Sequence, residues 1–172
     1  GNLLPAAALL SGQRLTMLLP DYALNFFLSG NMGRADWHEE RLLGELQCRL
    51  CSCHGNYVRD AKRWAGLVSK PDNQVRYFML DSGAFTSWKS GHKVDINELI
   101  RIYGEVMALV DHTKVKVFMI NLDVIPGSAG KTASAEDVLD AIRESDVNFN
   151  ILVKEFGDRV IPVFHQNESE AR

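Results

Sequence analysis

The 172-residue chain has few of the features that would place it outside ordinary globular proteins. It has three cysteines, an odd number that suits a reducing compartment better than a secreted disulfide framework. There is no basic excess: Lys and Arg total 19 against 22 Asp and Glu, a net charge of −3. Nucleic-acid binding is therefore not announced by overall charge, although a local patch can still supply it. No apolar run approaches the roughly 18 residues needed to span a bilayer, so no membrane partner is expected and the reading is cytoplasmic. Leu3 to Leu10 is apolar, but Pro5 interrupts it and the first cation, Arg14, follows it, the reverse of a secretory signal. What is present, 46% hydrophobic and 24% charged residues, is the composition of one globular domain.

Along the chain a pattern repeats, although no sequence does. Asn25 to Gly30 reads as a short buried strand, and Asp36-x-x-Glu39 caps a helical run through Leu42, Leu43 and Leu46. Arg49 to Cys53 reads as a second strand. Asn56 stands as the cap of a helix carrying Val58, Ala61, Trp64, Ala65 and Val68. Val75 to Leu80 is a third strand, followed by a turn at Ser90-Gly91 and a helix opened by Asp95-x-x-Glu98. Val115 to Leu122 is nearly continuous in apolar residues, as expected of a strand covered on both faces. Ser134-x-x-Asp137 begins another helical region, a later stretch of which ends at Gly157, and Arg159 to Phe164 is a fifth strand.

Strand alternating with helix predicts an α/β fold with a parallel sheet. Polar residues gather just after all five strands: Ser29-Gly30, Ser52 to His54, Asp81-Ser82, Asn121 with Asp123, and His165-Gln166. Several strands contributing polar ends to one rim is how a (β/α) barrel builds its active face, whereas an open sheet concentrates its site at one switch point. The expected fold is thus a TIM-type barrel, with residues 1–24 as an N-terminal extension and 25–172 as the barrel portion.

Two segments carry the chemistry. In Asp81-Ser82-Gly83-Ala84-Phe85 an apolar strand runs into a carboxylate, a hydroxyl, a glycine and an aromatic ring. This suits a carboxylate beside backbone donors with a ring to stack on a planar ligand. It equally suits an ordinary βα turn in which Asp81 binds nearby N–H groups. In Asn121-Leu122-Asp123-Val124-Ile125-Pro126-Gly127, alternation places Asn121 and Asp123 on one face. Asp81 and Asp123 from adjacent strands can then converge on one ligand, binding the N–H donors of a base or dividing acid and base roles. The alternative, a single structural Asp before a Pro-Gly turn, is less favoured because carboxylates rarely end buried strands. Gln166 offers a donor and an acceptor to a heterocycle edge, while His165 alone reads as a structural hydrogen-bonding residue.

Two other candidate sites are weaker. Cys48, Cys51, Cys53 and His54 have the residue types of a zinc site. Strand alternation separates Cys51 and Cys53 from Cys48 and His54, and buried thiols account for them better, so no metal is assigned. Gly127 to Thr132 resembles the end of a phosphate-binding loop, but the required first glycine falls on Ile125. Arg59, Lys62 and Arg63 form a candidate basic patch that reads more simply as a solvated helix face.

Met79-Leu80-Asp81-Ser82-Gly83-Ala84-Phe85 resembles the LDSGGF-type segment of tRNA-guanine transglycosylases. With Thr86-Ser87-Trp88 it is closest in character to phage and bacterial queuine tRNA-ribosyltransferase-like relatives, among them DNA-guanine transglycosylases that place 7-deazaguanines in DNA. Residues 121–127 and Ile161-Pro162-Val163-Phe164-His165-Gln166 resemble two further blocks in the same order.

The resemblance implies a TIM-type barrel that exchanges a guanine base through a covalent glycosyl–enzyme intermediate, without an added cofactor. DNA or tRNA and a 7-deazaguanine base would be its partners. Asp81 would be the acid/base carboxylate and Phe85 the stacking ring, with Ser82 and Gly83 nearby. Asp123, with Asn121, would meet the guanine N–H edge, and Gln166, after His165, its carbonyl side. The family's nucleophilic Asp and its zinc cluster lie beyond the equivalent of Arg172, and Cys48 to His54 does not match that cluster. Ala84 in place of a second glycine leans toward the DNA-acting branch. Against a barrel of about 250 residues, the resemblance implies about five of eight strands, completed by a C-terminal half or by a second copy. Two other classes compete: a non-catalytic purine- or nucleic-acid-binding half-barrel, and a different TIM-barrel enzyme using Asp81 and Asp123 around a metal.

Overall fold

The computed structural model describes residue 27 and residues 48–128 and 131–164. The expected strand at Asn25 to Gly30 and the helix through Leu42 lie outside these residues, as do His165 and Gln166. The described chain is a mixed α/β unit. β1 (Cys48–Ser52), β2 (Tyr77–Asp81), β3 (Lys116–Ile120) and β4 (Val160–Ile161) form a four-stranded sheet. Every pairing is parallel, and the spatial order follows chain order without reversal. The helices are α1 (Tyr57–Val68), α2 (Ala84–Lys89), α3 (Ile96–Met107) and α4 (Ala135–Phe156).

Local chemistry accounts for most boundaries. The Asp95 carboxylate accepts from the Asn97 and Glu98 amides and starts α3. Ser134 and Asp137 cap each other's backbone, a full capping box that starts α4. The two helical stretches expected after Ser134 are one helix of 22 residues, closed at Gly157 with φ 67°. Asn56 does occupy the N-cap of α1, but its side chain makes no capping bond. The Tyr57 and Val58 amides are instead satisfied by the carbonyls of His54 and Gly55. The expected strand from Arg159 to Phe164 pairs only at Val160 and Ile161, because a 3-10 turn at Gly157–Arg159 takes up its start. The short helix α2 has no counterpart in the sequence reading; six residues carry too little periodicity to register.

The core lies on one face of the sheet. Cys51, Phe78, Leu80, Val117 and Met119 alternate along the strands and share one buried cluster with Trp64, Val68, Leu99, Tyr103, Val106 and Leu152 from α1, α3 and α4. Each large member contributes about 1.5–3 kcal/mol by leaving water. On the opposite face Leu50, Met79, Phe118 and Ile120 are only half-buried, and Tyr77 stacks on Phe118 with centroids 6.3 Å apart. Among the described residues, no helix is long and apolar enough to cross a membrane.

Candidate functional site

Because all the described strands are parallel, their carboxyl ends share one edge of the sheet, and the chemistry-bearing residues collect there. Asp81 is the last residue of β2 and pairs in register with Ser52 at the end of β1. Its carboxylate accepts from the Gly83 amide at 3.2 Å and from the Ser52 hydroxyl, with His54 close enough to interact electrostatically. Burial dominates over these partners and raises the Asp81 carboxyl above its ordinary value. Gly83 is required here by geometry: its φ is 75°, and a Cβ on it would stand 2.2 Å from the Cβ of His54. The bare glycine lets the β1 and β2 ends close on each other.

Phe85, in the first turn of α2, is 64% exposed and tilts against Trp88 at 5.9 Å between centroids. Ser82, by contrast, is buried. The Trp88 indole N–H donates to the Gly127 carbonyl at 3.2 Å and ties α2 to the loop after β3.

At that loop the alternation expected for Asn121 and Asp123 does not persist. The Asp123 amide bonds back to the Asn121 carbonyl at 3.0 Å, so the chain turns as β3 ends. Both residues then engage Ser145 of α4. The Asn121 amide donates to the Ser145 carbonyl at 3.0 Å, and the Ser145 hydroxyl donates to Asp123 Oδ1 at 3.2 Å while accepting from the Val124 amide at 2.8 Å. One turn further on, the Asn148 amide donates to the Leu122 carbonyl at 3.0 Å. Asn121 is 2% exposed, and its Oδ1 is buried without a hydrogen bond among the described residues.

A cleft of about 270 Å³ opens between the 84–94 segment, the 122–128 loop and α4. Trp88, Asp123, Val124 and Asn148 line it, and Lys93 and Glu144 pair at 3.5 Å on its wall. Small-molecule sites usually span about 300–1,000 Å³, and this cleft lies just below that range. Asp123 lines the cleft, whereas Asp81 is not part of its wall. The two carboxylates therefore share a rim but are held separately, one by β1 and the other by α4.

The cysteines take no part in this arrangement. Cys51 and Cys53 sit in the core, and burial pushes the Cys53 thiol well up. Among the described residues, no group of three His, Cys, Asp or Glu side chains is placed to hold a metal. In the candidate basic patch, Lys62 is paired with Glu105 at 2.6 Å, while Arg59 stands exposed.

Ser145, Asn148 and Trp88 are the parts of the site that sequence reasoning did not assign. Their signal was present in part: Ala141, Ser145, Asn148 and Leu152 follow one another at gaps of four, three and four, a helical stripe interrupted by two polar residues. Comparisons with protein-family models, with curated proteins and with solved structures return no match.

Proposed function

We propose that this chain is the base-recognising part of a guanine-exchange transglycosylase built on a (β/α) barrel, with a 7-deazaguanine as incoming base and DNA or tRNA as the polymer. The observation that carries this reading is the setting of Asp81. A carboxyl raised by burial, at the carboxyl end of a parallel strand and four residues before an exposed aromatic ring, suits proton transfer to a heterocycle. Asp123 in the neighbouring cleft supplies an acceptor for ring N–H groups. A sheet order that follows chain order, with α1, α3 and α4 packed on one face, is what a segment of a barrel wall requires.

In this reading Asp123 binds the N–H edge of the base, and Phe85, beside the cleft rather than in its wall, stacks on the base where it reaches the shared rim. Asp81 passes a proton to and from the ring nitrogen as the glycosidic bond breaks and re-forms. The covalent step needs a nucleophilic carboxylate, and none is assigned among the described residues. Exchange swaps one base for another, so no nucleotide hydrolysis is required to drive it.

Calorimetric titration of the full chain with guanine and with a 7-deazaguanine, alongside exchange of labelled guanine into DNA and tRNA, tests the proposal. Asp123→Asn removes a charge-assisted hydrogen bond of about 1.5–3 kcal/mol and weakens base binding tenfold or more. In a form that also carries the nucleophile, Asp81→Asn abolishes exchange. Binding without exchange identifies a recognition module, and no binding by the wild-type chain overturns the proposal.

A further inference from the structure

We infer that Asn148 is a ligand-contacting residue of the cleft, its amide oxygen selecting for a second N–H donor beside the one taken by Asp123. The inference rests on the base-binding reading of that cleft. A carbonyl oxygen can only accept, so the bond to Leu122 fixes which end of the Asn148 amide is nitrogen. The other end is then an oxygen. It accepts no hydrogen bond among the described residues, yet it is not one of the fully enclosed unsatisfied atoms. Asn148 is 8% exposed and lines the cleft, and in this assignment that oxygen lies on the cleft side.

The arrangement is held rigidly. Ser145 and Asn148 lie one turn apart on the buried face of α4, and they clamp consecutive residues of the loop: Leu122 by its carbonyl, Asp123 by its carboxylate and Val124 by its amide. Two acceptors, the Asp123 carboxylate and the Asn148 oxygen, thereby face the same small cleft. A planar ring bearing two adjacent donors, an N–H next to an exocyclic amino group, can donate to the Asn148 oxygen and to the Asp123 carboxylate beside the partners that carboxylate already has. A ring lacking the amino group leaves the Asn148 oxygen desolvated and unpaired. A buried polar group without its partner is what makes such sites discriminate.

Guanine and hypoxanthine differ by that amino group and serve as the probes. Wild-type chain is expected to bind guanine at least tenfold more tightly than hypoxanthine, and Asn148→Ala to bring the two affinities within about threefold by weakening guanine alone. Ser145→Ala, which loosens Asp123, should weaken both bases alike. On the wild-type chain, the Asn148 side-chain amide resonances should shift on adding guanine and stay in place on adding hypoxanthine; this needs no substituted protein to fold. Guanine binding with the preference unchanged in Asn148→Ala, or with unmoved Asn148 resonances, overturns this assignment and leaves the base-exchange reading standing. Failure of the wild-type chain to bind either base overturns both.

Discussion

At the residue scale, Asp81 is held in a setting that favours its neutral form. Its carboxyl titrates higher in the folded chain than in the unfolded one because burial outweighs the Gly83 and Ser52 hydrogen bonds. The folded state therefore binds the extra proton more readily than the unfolded state. Stability from this group is fully present below the ordinary carboxylate range and is lost as pH rises through the folded value. Asp81→Asn, which cannot ionise, should have a higher Tm than wild type at pH 7, and the difference should fade as pH is lowered toward 3. A thermal-melt series across that range checks it, and an unchanged gap at all pH values would contradict the burial argument. Gain in stability with loss of exchange is the pattern expected of a functional carboxylate.

Asp123 is held from another element: it accepts from the Ser145 hydroxyl of α4. The two carboxylates were both legible as strand-end acids in sequence. Their separate environments were not, since Ser52 lies 29 positions from Asp81 and Ser145 lies 22 from Asp123. Strand-end position is a local property, whereas the supporting partner is set by which element packs beside it.

At the scale of elements, α3 and α4 are the best-specified pieces, because each begins at a cap and carries an apolar stripe. Tyr103 joins the levels. Fully buried on α3, its hydroxyl reaches the Leu80 carbonyl at 3.3 Å and the Ile120 carbonyl at 2.9 Å, where β2 and β3 deliver Asp81 and the 121–124 loop. Burial raises this phenol well above its ordinary value, so it stays a neutral donor across the working pH range. Tyr103→Phe keeps the ring packing and removes the donor, costing about 0.5–1.5 kcal/mol. It should lower the urea midpoint with the m-value unchanged. Tyr103 lies at helical spacing from Leu99 and Val106 and shares their buried cluster, while its polar end leaves no mark in the sequence, because the acceptors are backbone groups of other elements.

At the scale of the molecule, the two faces of the sheet differ in how they are covered. Phe78 is fully buried beneath the helices, whereas Phe118 on the other face is half-buried. Phe78→Ala should cost about 3–5 kcal/mol, and Phe118→Ala clearly less, as measured by chemical denaturation of the full chain. Equal costs would mean that the second face is packed as tightly as the first, as the interior of a closed barrel is. Among the described strands the order follows the chain without the reversal at which doubly wound sheets place their ligand sites.

The amino-acid sequence by itself determined where α3 and α4 begin, which strands are apolar, and that acids and amides follow the strands. All of these depend on neighbours within a few positions: caps, alternation and helical spacing. Tertiary structure decided that Asn121 turns toward α4, that Gly83 meets His54, and that Ser145 and Asn148 clamp the Asp123 loop. Those contacts join residues between 22 and 29 positions apart. They arise only when parallel strands align their carboxyl ends and a helix lays its one polar notch against them.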